Sequence, residues 1–260
     1  FCGGACLQVM IAFSVAGLKH WFDHPRTVDA TKGENSVQIA SRHQSPDAEW
    51  TIAQAVLRRG GSVHVETQDQ YLEVARSEDL PTATFAVRHV SLAGLNVTPE
   101  EIRQLAALQQ LRGLDVSRSY LQSEHVGAIA GLTSLEHLNL SDTGLTDKHL
   151  SWLLPLGRLD HLKLNRTNLT DESLKLVATF ENLAWLELEA MRLSPDSVSH
   201  LSDLPDLELL SIRETGFNDA CLEEISQMNS LRKLLIYKTA MSEEAVSAFL
   251  ASHPECVVDH

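Results

Sequence analysis

From Val87 onward, two rhythms of apolar positions alternate along the chain. Leu135–Arg158 reads LEHLNLSDTGLTDKHLSWLLPLGR, and LDHLKLNRTNLTDESLKLVATFEN, Leu159–Asn182, follows it directly. Counted from the first leucine, positions 1, 4, 6, 11, 16, 19 and 22 are apolar in both copies. Copies beginning at Leu111, Leu183 and Leu207 keep the same frame. All 35 frame positions of these five ungapped copies are Leu, Ile, Val, Met or Phe, in a chain that is 43% hydrophobic overall, which excludes chance. The frame reaches upstream to Val87 and downstream to Leu231. A fixed period of this kind decides the fold before any local propensity does.

Within each copy, positions 4 and 6 alternate with polar neighbours, as in Leu138-Asn139-Leu140, which is the two-residue rhythm of a short strand. Positions 16, 19 and 22, such as Leu150, Leu153 and Leu156, recur at helical spacing. Ahead of them stand Thr98, Thr146, Thr170, Ser194, Asn218 and Ser242, whose side-chain oxygens suit a helix N-cap. Acids follow at once, among them Glu100, Asp147, Asp171, Asp219 and Glu243, and favour the positive end of the helix dipole. Each copy is therefore strand, turn, helix and return. None can bury its apolar face alone, so the copies must stack.

The motif L-x-x-L-x-L-x-x-T-x-L-T-D-x-x-L-x-x-L resembles the leucine-rich repeat family, in the 24-residue form common in bacterial proteins. The resemblance covers residues 87–260, roughly two thirds of the chain. It implies an α/β, right-handed solenoid or horseshoe, with a parallel sheet on the concave side and helices on the convex side. At position 9 the family's usual Asn or Cys is replaced by Thr143, Thr167, Thr215, Thr239 and Ser119, and by apolar Leu95 and Met191. A hydroxyl there is expected to bond the neighbouring copy's backbone on one side, leaving a weaker turn ladder around Leu95 and Met191.

Four regions follow. Residues 1–22 form an apolar segment whose first 18 residues carry no charge; with Lys19 and Trp21 behind them they read as a membrane anchor, with a signal remnant and a buried capping helix as alternatives. Residues 23–44 read as a linker. Residues 45–86 read as an N-terminal cap: a helix from Ser45 to the Gly60-Gly61 stop, then a hairpin of SVHVE and YLEVA. Residues 87–260 hold about seven repeats and the closing strand HPECVVDH.

The net charge of −14 changes this picture little, because many of the acids stand at helix starts. No basic stripe exists, so nucleic acid is not an expected partner. The four cysteines, Cys2, Cys6, Cys221 and Cys256, have no metal or disulfide spacing. No phosphate-binding glycine loop, H-E-x-x-H or G-x-S-x-G occurs, and no cofactor is expected. His20 and His24, four apart in HWFDH, have no third ligand with an assigned place.

Function must then lie in surface, and the frame says which. Positions 3, 5 and 7 of each copy point away from the core and line the concave face, with position 8 at its edge. A binding face is expected at His137, His161, Lys163, Trp185, Glu187, Glu189, Arg213, Lys233 and Tyr237. Trp185, Leu209, Leu235 and Tyr237 are apolar where solvent is expected, beside Arg213 and Lys233, which is the composition of an interface hot spot. His137 and His161 should be side by side, but Lys163 next to them opposes a cation, and Gly113 leaves a gap before His89. The expected function is a non-catalytic, monomeric protein-binding module with an unidentified protein ligand. The alternative is a structural or regulatory repeat segment of a larger membrane-attached signalling protein or enzyme.

Overall fold

The computed structural model describes residues 47–260. The apolar segment and the membrane attachment expected of residues 1–18, the linker, the His20–His24 pair, and Cys2 and Cys6 lie outside the described residues. Among the described residues, no helix is long and apolar enough to cross a membrane.

Helix α1, Ala48–Arg58, buries Ala53, Val56 and Leu57 on one face and stops at Gly60, whose φ of +88° an L side chain rarely adopts. Strands β1 (Ser62–Glu66) and β2 (Tyr71–Val74) form the hairpin that the alternation in SVHVE and YLEV specifies. The hairpin continues the sheet: β1 pairs antiparallel with β3, Ala86–Ser91. From there every strand is parallel to the one before: β4 (Gly113–Asp115), β5 (His137–Asn139), β6 (His161–Lys163), β7 (Trp185–Glu187), β8 (Leu209–Ser211), β9 (Lys233–Leu235) and β10 (Val257–Asp259). The result is one open sheet in the order β10-β9-β8-β7-β6-β5-β4-β3-β1-β2. Register follows the 24-residue frame, so His137 stands against His161 and His161 against Trp185. All 35 frame residues of the five central copies are buried, none more than 6% exposed.

Behind the strands run short helices: α2 (Pro99–Gln104), α3 (Ser123–Ala130), α4 (Asp147–Leu150), α5 (Asp171–Val177), α6 (Ala220–Ile225) and α7 (Glu243–Ser252). The Leu183 copy has only a 3-10 helix, Pro195–Leu201. The expected N-caps are made in part. Thr98 closes a capping box with Glu101, Asn218 accepts from Ala220 N–H, and Ser242 accepts from Ala245 N–H. Thr170 and Ser194 cap no helix N–H with their side chains. Instead their own N–H groups donate to the carboxylates of Asp147 and Asp171 in the preceding copy, and Ser242 N–H donates likewise to Asp219. These helix-start acids therefore stitch one copy to the next, beyond any effect on the dipole. Burial alone would raise Asp171, but the Ser194 backbone and side-chain bonds hold it below its ordinary value.

The turn after each strand is as regular as the strand. Position 8 has positive φ in every copy: Gly94, Arg118, Asp142, Arg166, Ala190, Glu214 and Lys238. Each N–H there, through Glu214, donates to the position-7 carbonyl of the next copy, as from Gly94 to Ser117 at 2.7 Å and from Ala190 to Arg213 at 2.9 Å. The ladder is thus not weaker near Leu95 and Met191, contrary to the expectation from position 9. The Thr hydroxyls there turn inward to their own copy. Thr143 donates to the Leu140 carbonyl and Thr167 to that of Leu164, three residues back, because the tight turn brings that carbonyl within reach. Backbone N–H and carbonyl groups carry the repeating inter-copy ladder at this turn. Of the position-9 hydroxyls, Ser119 alone also reaches the neighbouring copy's backbone among the described residues, donating to the Leu92 carbonyl at 3.5 Å.

Candidate functional site

The sheet's outward positions hold a row of rings that crosses copies. His64 on β1 lies 5.8 Å, centroid to centroid, from Tyr71 and 5.3 Å from His89 on β3. Further along, His137 and His161 stand edge to face at 4.6 Å, and His161 lies 5.1 Å from the Trp185 ring. The expected gap at Gly113 is filled by His89, which is only 3% exposed: a Cβ on Gly113 would overlap the His89 ring. Glycine is required there because an imidazole from the neighbouring strand occupies its side-chain space.

Burial favours the neutral form of His64, His89 and His137. It lowers His64, against the pull of Glu73, and holds His89 well below its ordinary value, aided by His64 and His137. His137 falls to about 4, chiefly by burial and then by His161, with Asp160 opposing and Arg112 assisting.

Beyond His161 the chemistry changes to charge pairs. Lys163 Nζ sits 2.8 Å from Glu187 Oε1 and 5.7 Å above the Trp185 ring centre, and Trp185 Nε1 donates to the same carboxylate at 3.2 Å. Asn165 Nδ2 donates to the other Glu187 oxygen, while its Oδ1 accepts from Glu189 N–H. Glu189 in turn accepts from Ser211 Oγ at 2.6 Å, and Arg213 reaches across to Asp259 on β10, also at 2.6 Å.

The structure thus brings His137, His161, Lys163, Trp185 and Glu187 into one contiguous group, with Glu189 joined to it through Asn165 and Arg213 through its 3.8 Å pair with Glu189. Lys233 is half-buried on β9, in register with Leu209. Tyr237 stands apart, 53% exposed, with Lys238 Nζ 5.3 Å over its ring. The apolar cluster expected in solvent is smaller than the frame suggested. Leu209 and Leu235 are only 5% and 8% exposed, and Trp185 is half-buried, leaving Tyr237 as the exposed member.

Asp160, at position 2, is a member of the face that the frame did not point to. Its Oδ1 lies 2.7 Å from His161 Nδ1 and 3.4 Å from His137 Nε2. Only the acid beside the histidine in LDHLKL signalled it, because positions 3, 5 and 7 alone were expected to line the face.

The leucine-rich repeat family profile matches residues 109–169, two full copies and part of their flanks. Within residues 109–169 the copies are leucine-rich repeats, and the same strand–turn–helix copies stack in shared register on either side of them, as in a leucine-rich-repeat solenoid. Among solved structures, an internalin from Listeria monocytogenes is similar to it at 19% identity and a TM-score of 0.44. That match covers 63% of this chain and 57% of the internalin chain, so this chain spans little more than half the internalin's length. No curated protein matches. The leucine-rich repeats account for the scaffold, and the side chains on their sheet face remain to be explained by function.

Proposed function

We propose that the chain is a non-catalytic protein-binding module whose repeats present the outward face of β5–β9 to a single protein partner. The observation that carries this reading is the division of labour within each strand. Residues such as Leu138, Leu162 and Leu186 are fully buried, while their immediate neighbours His137, Lys163 and Trp185 hold a ring-and-charge array that the core does not require. Five strands at about 4.8 Å spacing give a rigid strip about 19 Å wide, before the turns at Arg213 and Tyr237 are added. Aromatic rings and arginine on such a strip are the residue types that dominate binding energy when a partner covers them.

The test is affinity capture by the full chain, compared with a Trp185→Ala/Tyr237→Ala variant of matched circular dichroism. A partner retained by the first and lost by the second supports the reading. A partner held equally by both removes it from this face.

A further inference from the structure

We infer that His137, Asp160 and His161 form a binding site for one divalent first-row transition ion of the zinc class. One donor atom from each residue lies within 4.8 Å of the other two. Four-coordinate zinc with nitrogen and oxygen ligands at about 2.0–2.2 Å sets neighbouring ligand atoms about 3.3–3.5 Å apart. His137 Nε2 and Asp160 Oδ1 already stand at 3.4 Å. The 2.7 Å contact of Asp160 with His161 Nδ1 needs to open by about 0.6–0.8 Å, since the ion takes the place of the proton between them.

The donor set has the right chemistry. Two imidazoles and one carboxylate suit a borderline cation better than calcium or magnesium, which prefer oxygen alone. Metal ligation uses a bare imidazole nitrogen, and each ring turns one nitrogen toward Asp160 Oδ1. Backbone holds the three together. Asp160 and His161 N–H groups both donate to the Glu136 carbonyl at the start of β5, and His137 pairs with His161 in register.

The nearby charges do not oppose a cation as the sequence suggested. Lys163 is drawn toward β7 by its 2.8 Å pair with Glu187, and Arg112 is paired with Glu136. Each positive charge thus has its own carboxylate, and Asp160 supplies the charge that faces the ion. Three protein ligands leave one coordination position for water or for a group from outside the chain. Binding of the ion requires no partner protein, so it stands or falls separately from the interaction surface.

The test uses the full chain stripped with chelator and titrated with Co(II), followed by competition with Zn(II). The expected result is one ion per chain, with visible absorption of a low-coordinate Co(II) centre that Zn(II) abolishes. Asp160→Asn should weaken Co(II) affinity about tenfold or more, and His137→Ala/His161→Ala should remove the absorption. Asp160 is partly exposed, so its variant keeps the test available if the double variant does not fold. Wild type and Asp160→Asn binding with equal affinity would place any bound ion elsewhere, for instance at His20 and His24, and overturn the site. So would the unchanged imidazole resonances of His137 and His161 in the wild-type protein loaded with Zn(II).

Discussion

The sheet face has two halves built on one frame. From β1 to β6 its outward positions hold imidazoles that are buried or half-buried and packed ring against ring, and burial favours the neutral form of His64, His89 and His137. From β7 to β9 they hold paired charges, hydrogen-bonded acids and, at the turn, an exposed phenol. Backbone, register and interior leucines are the same in both. The difference teaches that the frame dictates where a face residue points and leaves its chemistry open. In the first half that freedom went into packing, and in the second into polar contacts accessible from the surface.

The largest test of the comparison is whether the interior really is common. Leu138→Ala beneath the imidazole half and Leu210→Ala beneath the charged half should each cost about 2–5 kcal/mol in denaturant melts. Clearly unequal losses would mean that the halves differ below the surface as well. Next comes Gly113→Ala, which forces the His89 ring out of a filled space and should cost about 1–3 kcal/mol. Gly216→Ala, whose new Cβ would meet only the Leu193 carbonyl at 3.7 Å, should cost much less. Similar penalties would show that the imidazole half is no more tightly filled than the other.

Acid should separate the halves by charge. Unfolded His137 binds a proton near its ordinary value of 6.5, whereas the folded residue resists it to about 4. Stability contributed by the neutral ring is therefore fully present above about 6.5 and is lost as pH falls toward 4. His64 and His89, also lowered, act in the same direction. A His137 imidazole resonance that titrates near 6.5 in the folded protein would remove this distinction. The turn is a smaller probe. Ala190 at φ +53° should gain up to about 1 kcal/mol on replacement by glycine, while Gly94→Ala at φ +72° should lose a similar amount. Smallest of all, Tyr237→Ala should change stability by no more than about 0.5 kcal/mol, because its ring lies mostly in solvent. A larger loss would show that the exposed half is structural too.

Most of the scaffold was legible in the sequence. The frame located every strand from β3 to β9 and the hydrophobic interior, because a leucine that repeats every 24 residues has no other place to be buried. The same counting told His137, Lys163 and Trp185 apart from the core, since adjacent strand residues face opposite ways. Contacts between copies were not legible. A repeat describes one turn at a time, so it did not reveal that Asp147 and Asp171 bond the next copy, or that six of seven left-handed turns would lack glycine. Nor could it show His89 filling the space over Gly113, Leu209 and Leu235 being covered, or Asp160 reaching both His137 and His161. Each of these depends on the distance between side chains about 24 residues apart. Periodicity determined which copies are neighbours, and only the packed structure decided which atoms of those neighbours touch.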